Sequence, residues 1–155
     1  MKFVANIPKV VVAVLLVAAI VNLLVGVFLR YVVVEITDWM DVDPINFTWV
    51  EEVGEMMLAW LTLLGAAIGV RERAHFTLHV LTHNFSIATQ RTIERLHHVL
   101  IAGLGGIAAW YGVKLCLINR TLTTPGLEIN LAVLYASVVV GGVLLAVYAI
   151  SMIVA

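Results

Sequence analysis

The chain has 155 residues, 63% hydrophobic and 12% charged, and its mean hydropathy is +1.07. A water-soluble domain carries about 25% charged residues, so this composition excludes one and predicts an all-α integral membrane protein. The net charge of −1 points to no partner, no basic patch is dense enough to suggest nucleic acid, and the single cysteine, Cys116, excludes an intramolecular disulfide and reads as a packing residue.

Lys2 and Lys9 precede an apolar run over residues 10–29. That run is longer than the about 7–15 residues of a signal-peptide core and ends at Arg30-Tyr31, not at a small-residue cleavage site. It reads as a retained first span, placed at about 10–33, with Asn6 as cap and Pro8 in the first turn. Asn22, its one strongly polar side chain, is expected to make an interhelical hydrogen bond. The end of the span overlaps a polar connector, residues 30–44, which carries Glu35, Asp38, Asp41 and Asp43, with Trp39 suited to the membrane interface.

Thr48 followed by Glu51 fits a capping box for a second span over about 49–70. Residues 72–90 connect it to the third. There Phe76, Val80 and Leu81 alternate with His75, Thr77, His79 and His83, a pattern that predicts a short amphipathic interfacial helix. Ser86 is a candidate cap for the third helix, whose span is placed at about 91–118, with Arg91, Glu94 and Arg95 on its wet first turns. Lys114 and Arg120 mark its far end. Thr124-Pro125 resembles a helix start, and the uncharged residues 129–155 supply a fourth span, placed at about 127–155. Residues 1–155 therefore read as one transmembrane domain of four helices. Lys2, Lys9, Arg71, Arg73, Arg91 and Arg95 fall on one side, against Arg30, Lys114 and Arg120 on the other, which predicts both termini in the cytoplasm.

Burial from water does not drive helix pairing in lipid; close backbone approach and interhelical polar contacts do. Small residues line faces of three helices: Thr62, Gly65, Ala66 and Gly69; Ala102 with Gly106 and Gly105 with Ala109; Ala132 with Ala136 and Gly142 with Ala146. Each face serves either packing within this chain or contact with another membrane protein, and spacing does not separate the two. Arg30, Glu51, Glu52, Glu55, Lys114 and Glu128 fall at similar depth near the outer surface. A carboxylate at membrane depth is costly unless paired, so at least one of the three helix-two glutamates is expected to pair with Arg30 or Lys114.

Two Glu-x-x-His pairs, Glu72 with His75 and Glu94 with His97, suggest a di-iron site. That site also needs carboxylates from two other helices at the same level, and the remaining glutamates lie a span of about 30 Å away. His75, His79 and His83 recur every fourth residue without a fourth zinc ligand nearby, and none of the five histidines lies in a charge-free span where haem would need one. No nucleophile motif occurs, and the middle depth holds no ionisable side chain to couple an ion. These residues predict neither an enzyme, nor a cofactor, nor a chain that moves a solute alone.

Arg30-Tyr31, Trp49-Val50-Glu51-Glu52, the segment WLTLLGAA over residues 60–67, Arg73 with His75, and Pro125 followed by Ile129 and Tyr135 are similar to a known pattern. Together they resemble the small membrane subunit (Q-type, DctQ-like) of tripartite ATP-independent periplasmic (TRAP) transporters. Ala74 departs from the glycine that often precedes the histidine there. The resemblance implies a scaffold subunit of a sodium-driven importer of small organic acids. Its partners would be a large multi-spanning permease subunit and a periplasmic substrate-binding protein. Interface candidates are then Arg30, Trp49, Glu51, Glu52, Glu55, Trp60, Gly65, Gly69 and Lys114. Arg71, Arg73, His75 and Arg91 are candidates for holding phospholipid at the cytoplasmic rim, and Asp38, Asp41 and Asp43 for docking the periplasmic protein. The competing reading is a membrane anchor for another complex, such as a respiratory enzyme.

Overall fold

The computed structural model describes residues 2–40, 46–72 and 86–154. Among the described residues four helices are long and apolar enough to cross a membrane: Ile7–Trp39, Thr48–Arg71, Thr89–Ile118 and Ala132–Ile153. The chain is thus an all-α, multi-pass membrane protein. The expected interfacial helix, with Arg73, His75, His79 and His83, lies outside the described residues, as do Asp41 and Asp43.

The first span is one continuous helix in three parts: α1 (Lys2–Phe28), a π-helical turn (Leu29–Val33) and α2 (Val34–Trp39). The N–H of Val34 bonds the carbonyl of Leu29, five residues back, which is the π signature. The connector expected from Arg30 therefore begins as helix. No Gly or Pro stands between Arg30 and Trp39, and adding a turn to an existing helix costs far less than starting one. Likewise α1 begins at Lys2, so Pro8 lies inside it and not in its first turn.

Helix α3 (Thr48–Arg71) starts differently from the expected capping box. Asn46 Oδ1 accepts the Thr48 N–H at 2.9 Å and also bonds the Thr48 hydroxyl. Asn46 does the capping because its short side chain reaches two residues on, while Glu51 is engaged elsewhere. Helix α4 (Ile87–Ile118) has the expected Ser86 cap, which accepts the Thr89 N–H at 3.3 Å.

Helix α5 (Ala132–Val154) does not start at Thr124-Pro125. Residues 122–131 fold back on themselves. Thr124 N–H bonds Ile129 O at 2.9 Å, and Leu131 N–H bonds Leu122 O at 2.9 Å. Pro125-Gly126 makes the turn, and Glu128 sits at φ 55 in the left-handed region, where a helix cannot continue. Asn130 Oδ1 then caps α5 through the Ala132 N–H at 2.8 Å.

Helix α1 packs on α3, α3 on α5, and α5 on α4. These are the extensive pairings among the described residues, so the helices form an open row, α1–α3–α5–α4, not a closed ring. The α4–α5 contact is the closest. A Cβ added to Gly105 would lie 2.7 Å from Gly142 O, and one on Gly142 would lie 2.7 Å from Ala109 N. Both glycines are needed for the backbones to approach, and such approach is what favours pairing in lipid. Between α3 and α5, a Cβ on Gly141 would meet Leu63 Cβ at 2.6 Å. Between α1 and α3, the buried Asn22 donates to Val50 O at 2.9 Å, the interhelical bond expected of it. Large apolar side chains are left exposed on every long helix, as a row bathed in hydrocarbon requires.

Candidate functional site

Successive residues of a helix point about 100° apart, so two adjacent side chains can reach two different neighbours. Helix α3, between α1 and α5 in the row, uses this at both ends.

At the N-terminal end of α3, Glu51 forms an ion pair with Arg30, which emerges from the π turn. Glu52 turns the other way and is buried, with 8% exposure. Its carboxylate accepts the Gly126 N–H at 2.6 Å and the Leu127 N–H at 2.9 Å, with the Thr124 hydroxyl as a further partner. The turn must come close for this: a Cβ on Gly126 would lie 2.9 Å from Trp49 N and 3.2 Å from the Glu52 oxygens. At its C-terminal end, Glu72 pairs with Lys9 of α1, and the Arg71 guanidinium lies 5.6 Å from the Tyr148 ring of α5.

The two α1–α3 ion pairs also mark depth. Lys9 to Arg30 and Glu72 to Glu51 are each 21 residues apart by subtraction of their numbers, or about 32 Å at about 1.5 Å per residue, close to the hydrocarbon thickness of about 30 Å. The charges sit near the two ends of the span, and α2 extends beyond Arg30 with Glu35, Asp38 and Trp39. Energetically the contacts differ. Arg30 and Glu51 are 70% and 60% exposed, and an exposed pair contributes about 0–1 kcal/mol. A hydrogen bond to a charged group contributes about 1.5–3 kcal/mol, so the two amides on the buried Glu52 dominate the fastening at the N-terminal end of α3.

Glu55 is the exception. It lies on the exposed side of α3 one turn inside Glu51, about 6 Å further into the hydrocarbon, and among the described residues nothing pairs with it. A carboxylate at the centre of a span costs about 2.5–3.5 kcal/mol, and this one is part of the way there. Lys114 does not neutralise it. The row places α5 between α3 and α4, and the Lys114 ammonium instead lies 5.5 Å from the rings of both Trp110 and Tyr111 on its own helix.

Of the small-residue faces, Gly105–Ala109 and Gly142–Ala146 face each other, whereas Gly65, Gly69 and Gly106 have no atom within 4 Å of a built Cβ. Trp49 is 37% exposed and Trp60 is half-buried. Arg91 is exposed on the first turn of α4, and Asp38 is exposed on α2. Among the described residues no three His, Cys, Asp or Glu side chains converge as a metal site. Among the described residues the arrangement fastens and packs.

Sequence reasoning missed the partners of Glu52, Arg71 and Glu72. A backbone amide has no sequence signature, so Gly126 and Leu127 carried none beyond the Pro-Gly turn signal. Tyr148 lies in an apolar run and shows as a partner only once α5 is placed beside α3.

Residues 19–155 match the family described as tripartite ATP-independent periplasmic transporters, DctQ component. No curated protein matches the chain.

Proposed function

The chain belongs to the DctQ family, the small membrane component of TRAP transporters and not an enzyme, and from that premise we propose that it is the fixed scaffold of a sodium-driven importer of small organic acids. It works with a large permease subunit, which carries the solute, and a periplasmic binding protein, which delivers it. The observation that supports a fixed role is α3, tied at both ends to both neighbours through Glu51, Glu52, Arg71 and Glu72. A row held in this way broadens the anchor against which a moving transport unit can work.

In this reading residues 1–155 act as one transmembrane domain in the bacterial inner membrane, with both termini cytoplasmic. Arg71, Arg73, His75 and Arg91 line the cytoplasmic rim and hold anionic phospholipid headgroups. Asp38, Asp41 and Asp43 lie on the outer side and contribute to docking the binding protein. Arg30, Trp49, Glu51, Glu52, Trp60 and Lys114 shape the row that the permease meets.

The test is a lock. A Cb on Gly26 would sit 3.0 Å from Val50 Cγ1, so Gly26→Cys with Val50→Cys, in a Cys116→Ser background, joins α1 to α3 when oxidised. In proteoliposomes containing both membrane subunits and the binding protein, sodium-dependent carboxylate uptake is expected to be the same oxidised and reduced. Uptake that stops on oxidation and returns on reduction would rule out a fixed scaffold.

A further inference from the structure

One face of α3 is left uncovered by the other helices among the described residues. Glu55, Leu58, Thr62, Gly65 and Gly69 follow alternating steps of three and four residues, the seam along which helices cross at about 20°. Val50 and Gly54 serve α1, and Leu63 serves α5. The seam points to neither. Leu58 is 57% exposed, and Gly65 and Gly69 stand open where Gly105, Gly141 and Gly142 are each met within 3 Å. The Thr62 hydroxyl is satisfied by Leu58 O at 2.8 Å and Ala59 O at 3.1 Å, so it needs no polar partner.

Charge identifies the occupant. The other charged residues of this helix and its C-cap, Glu51, Glu52, Arg71 and Glu72, each engage a neighbour. Glu55 alone lies inside the rim, on the open seam, without a cation among the described residues. An acyl chain cannot neutralise it, and a soluble protein cannot reach it at that depth. We infer that this seam receives one transmembrane helix of the large permease subunit, bearing a Lys or Arg opposite Glu55 and packing closely over Gly65 and Gly69. The inference rests on the chain's being the small subunit of such a transporter, and it adds the face and the chemistry of the contact.

The experiment uses the co-expressed complex, purified through a tag on the permease. Recovery of the wild-type chain tests the underlying reading; if none is recovered, that reading and this inference both fall. With recovery established, a photo-crosslinking residue at Leu58 or Ala66 tests the face. Adducts with the permease are expected. Adducts only with a second copy of this chain, or none above the level of lipid adducts, would overturn the inference. A second arm replaces Gly65 and Gly69 by Leu, and separately makes Glu55→Lys. Both variants should insert and purify alone at wild-type yield, since among the described residues nothing lies within 4 Å of a Cβ on Gly65 or Gly69 and nothing pairs with Glu55, yet lose the permease. Loss should be reversed for Glu55→Lys when the crosslinked permease helix has its cation changed to Glu. Wild-type recovery of the permease by both variants would refute the assignment.

Discussion

Replacing Glu52 by Ala should loosen the outer end of the row far more than replacing its neighbour Glu51. The carboxylate of Glu52 accepts the Gly126 and Leu127 N–H groups at 2.6 and 2.9 Å in a buried setting. Removing it forfeits two charge-assisted bonds and strands two amide donors, at about 3–5 kcal/mol in all. Glu51→Ala gives up only an exposed ion pair, about 0–1 kcal/mol. The assay is thermal unfolding of the purified chain in one detergent. At about 2–4 °C per kcal/mol for a chain of this size, Glu52→Ala should lower the midpoint by on the order of 10 °C and Glu51→Ala by a few at most. Limited proteolysis should cut residues 124–131 in Glu52→Ala first. Equal shifts for the two variants would refute the ranking of buried amide bonds over the exposed pair.

Asn22→Leu should cost about 0.6 kcal/mol and no more than about 1.7, the range for interhelical hydrogen bonds in membranes, read by the same unfolding assay. Gly142→Leu should separate α4 from α5 and abolish a well-folded monomer, because a Cβ there already lies 2.7 Å from Ala109 N, whereas Gly106→Leu should leave the isolated chain unchanged. Size-exclusion profiles in detergent distinguish the two. Asp38→Asn should raise the concentration of binding protein needed for half-maximal uptake without changing the maximal rate, if α2 helps seat that protein. Arg71→Ala with Arg91→Ala should reduce the anionic phospholipid retained by the purified complex, as weighed by native mass spectrometry.

The spans were legible because hydrocarbon imposes a simple rule: residues 10–29 or 129–155 without a charge can scarcely be anything else. Capping was less so. Ser86 reads correctly because a cap bonds its own chain three residues on, while the Thr48–Glu51 pair misleads because Asn46 takes the Thr48 N–H that the Glu51 carboxylate would accept in a capping box. The continuation through Arg30 to Trp39 was hidden by its charges, which suggest a loop although nothing in the segment breaks a helix. The order of the row was illegible. Which of Gly65, Gly105 or Gly142 is filled depends on where α5 lies, and a helix presents small residues in the same way to its own neighbours and to a stranger. The rim carboxylates were visible as costly charges, but only the fold shows that Glu51 and Glu52 are provided for and that Glu55 is not.

As the proposed scaffold, the open row stays fixed while the permease moves. Spin labels at Val14 on α1 and Ile107 on α4, both exposed at the ends of the row, read it directly. With three interhelical steps of about 8–10 Å, the backbones should lie about 24–30 Å apart. Pulsed dipolar measurements on the reconstituted complex should give one narrow distribution near that separation, unchanged by sodium or substrate-loaded binding protein. A separation of about 10 Å, as in a closed four-helix ring, would contradict the row, and a distribution that shifts with sodium would contradict the scaffold.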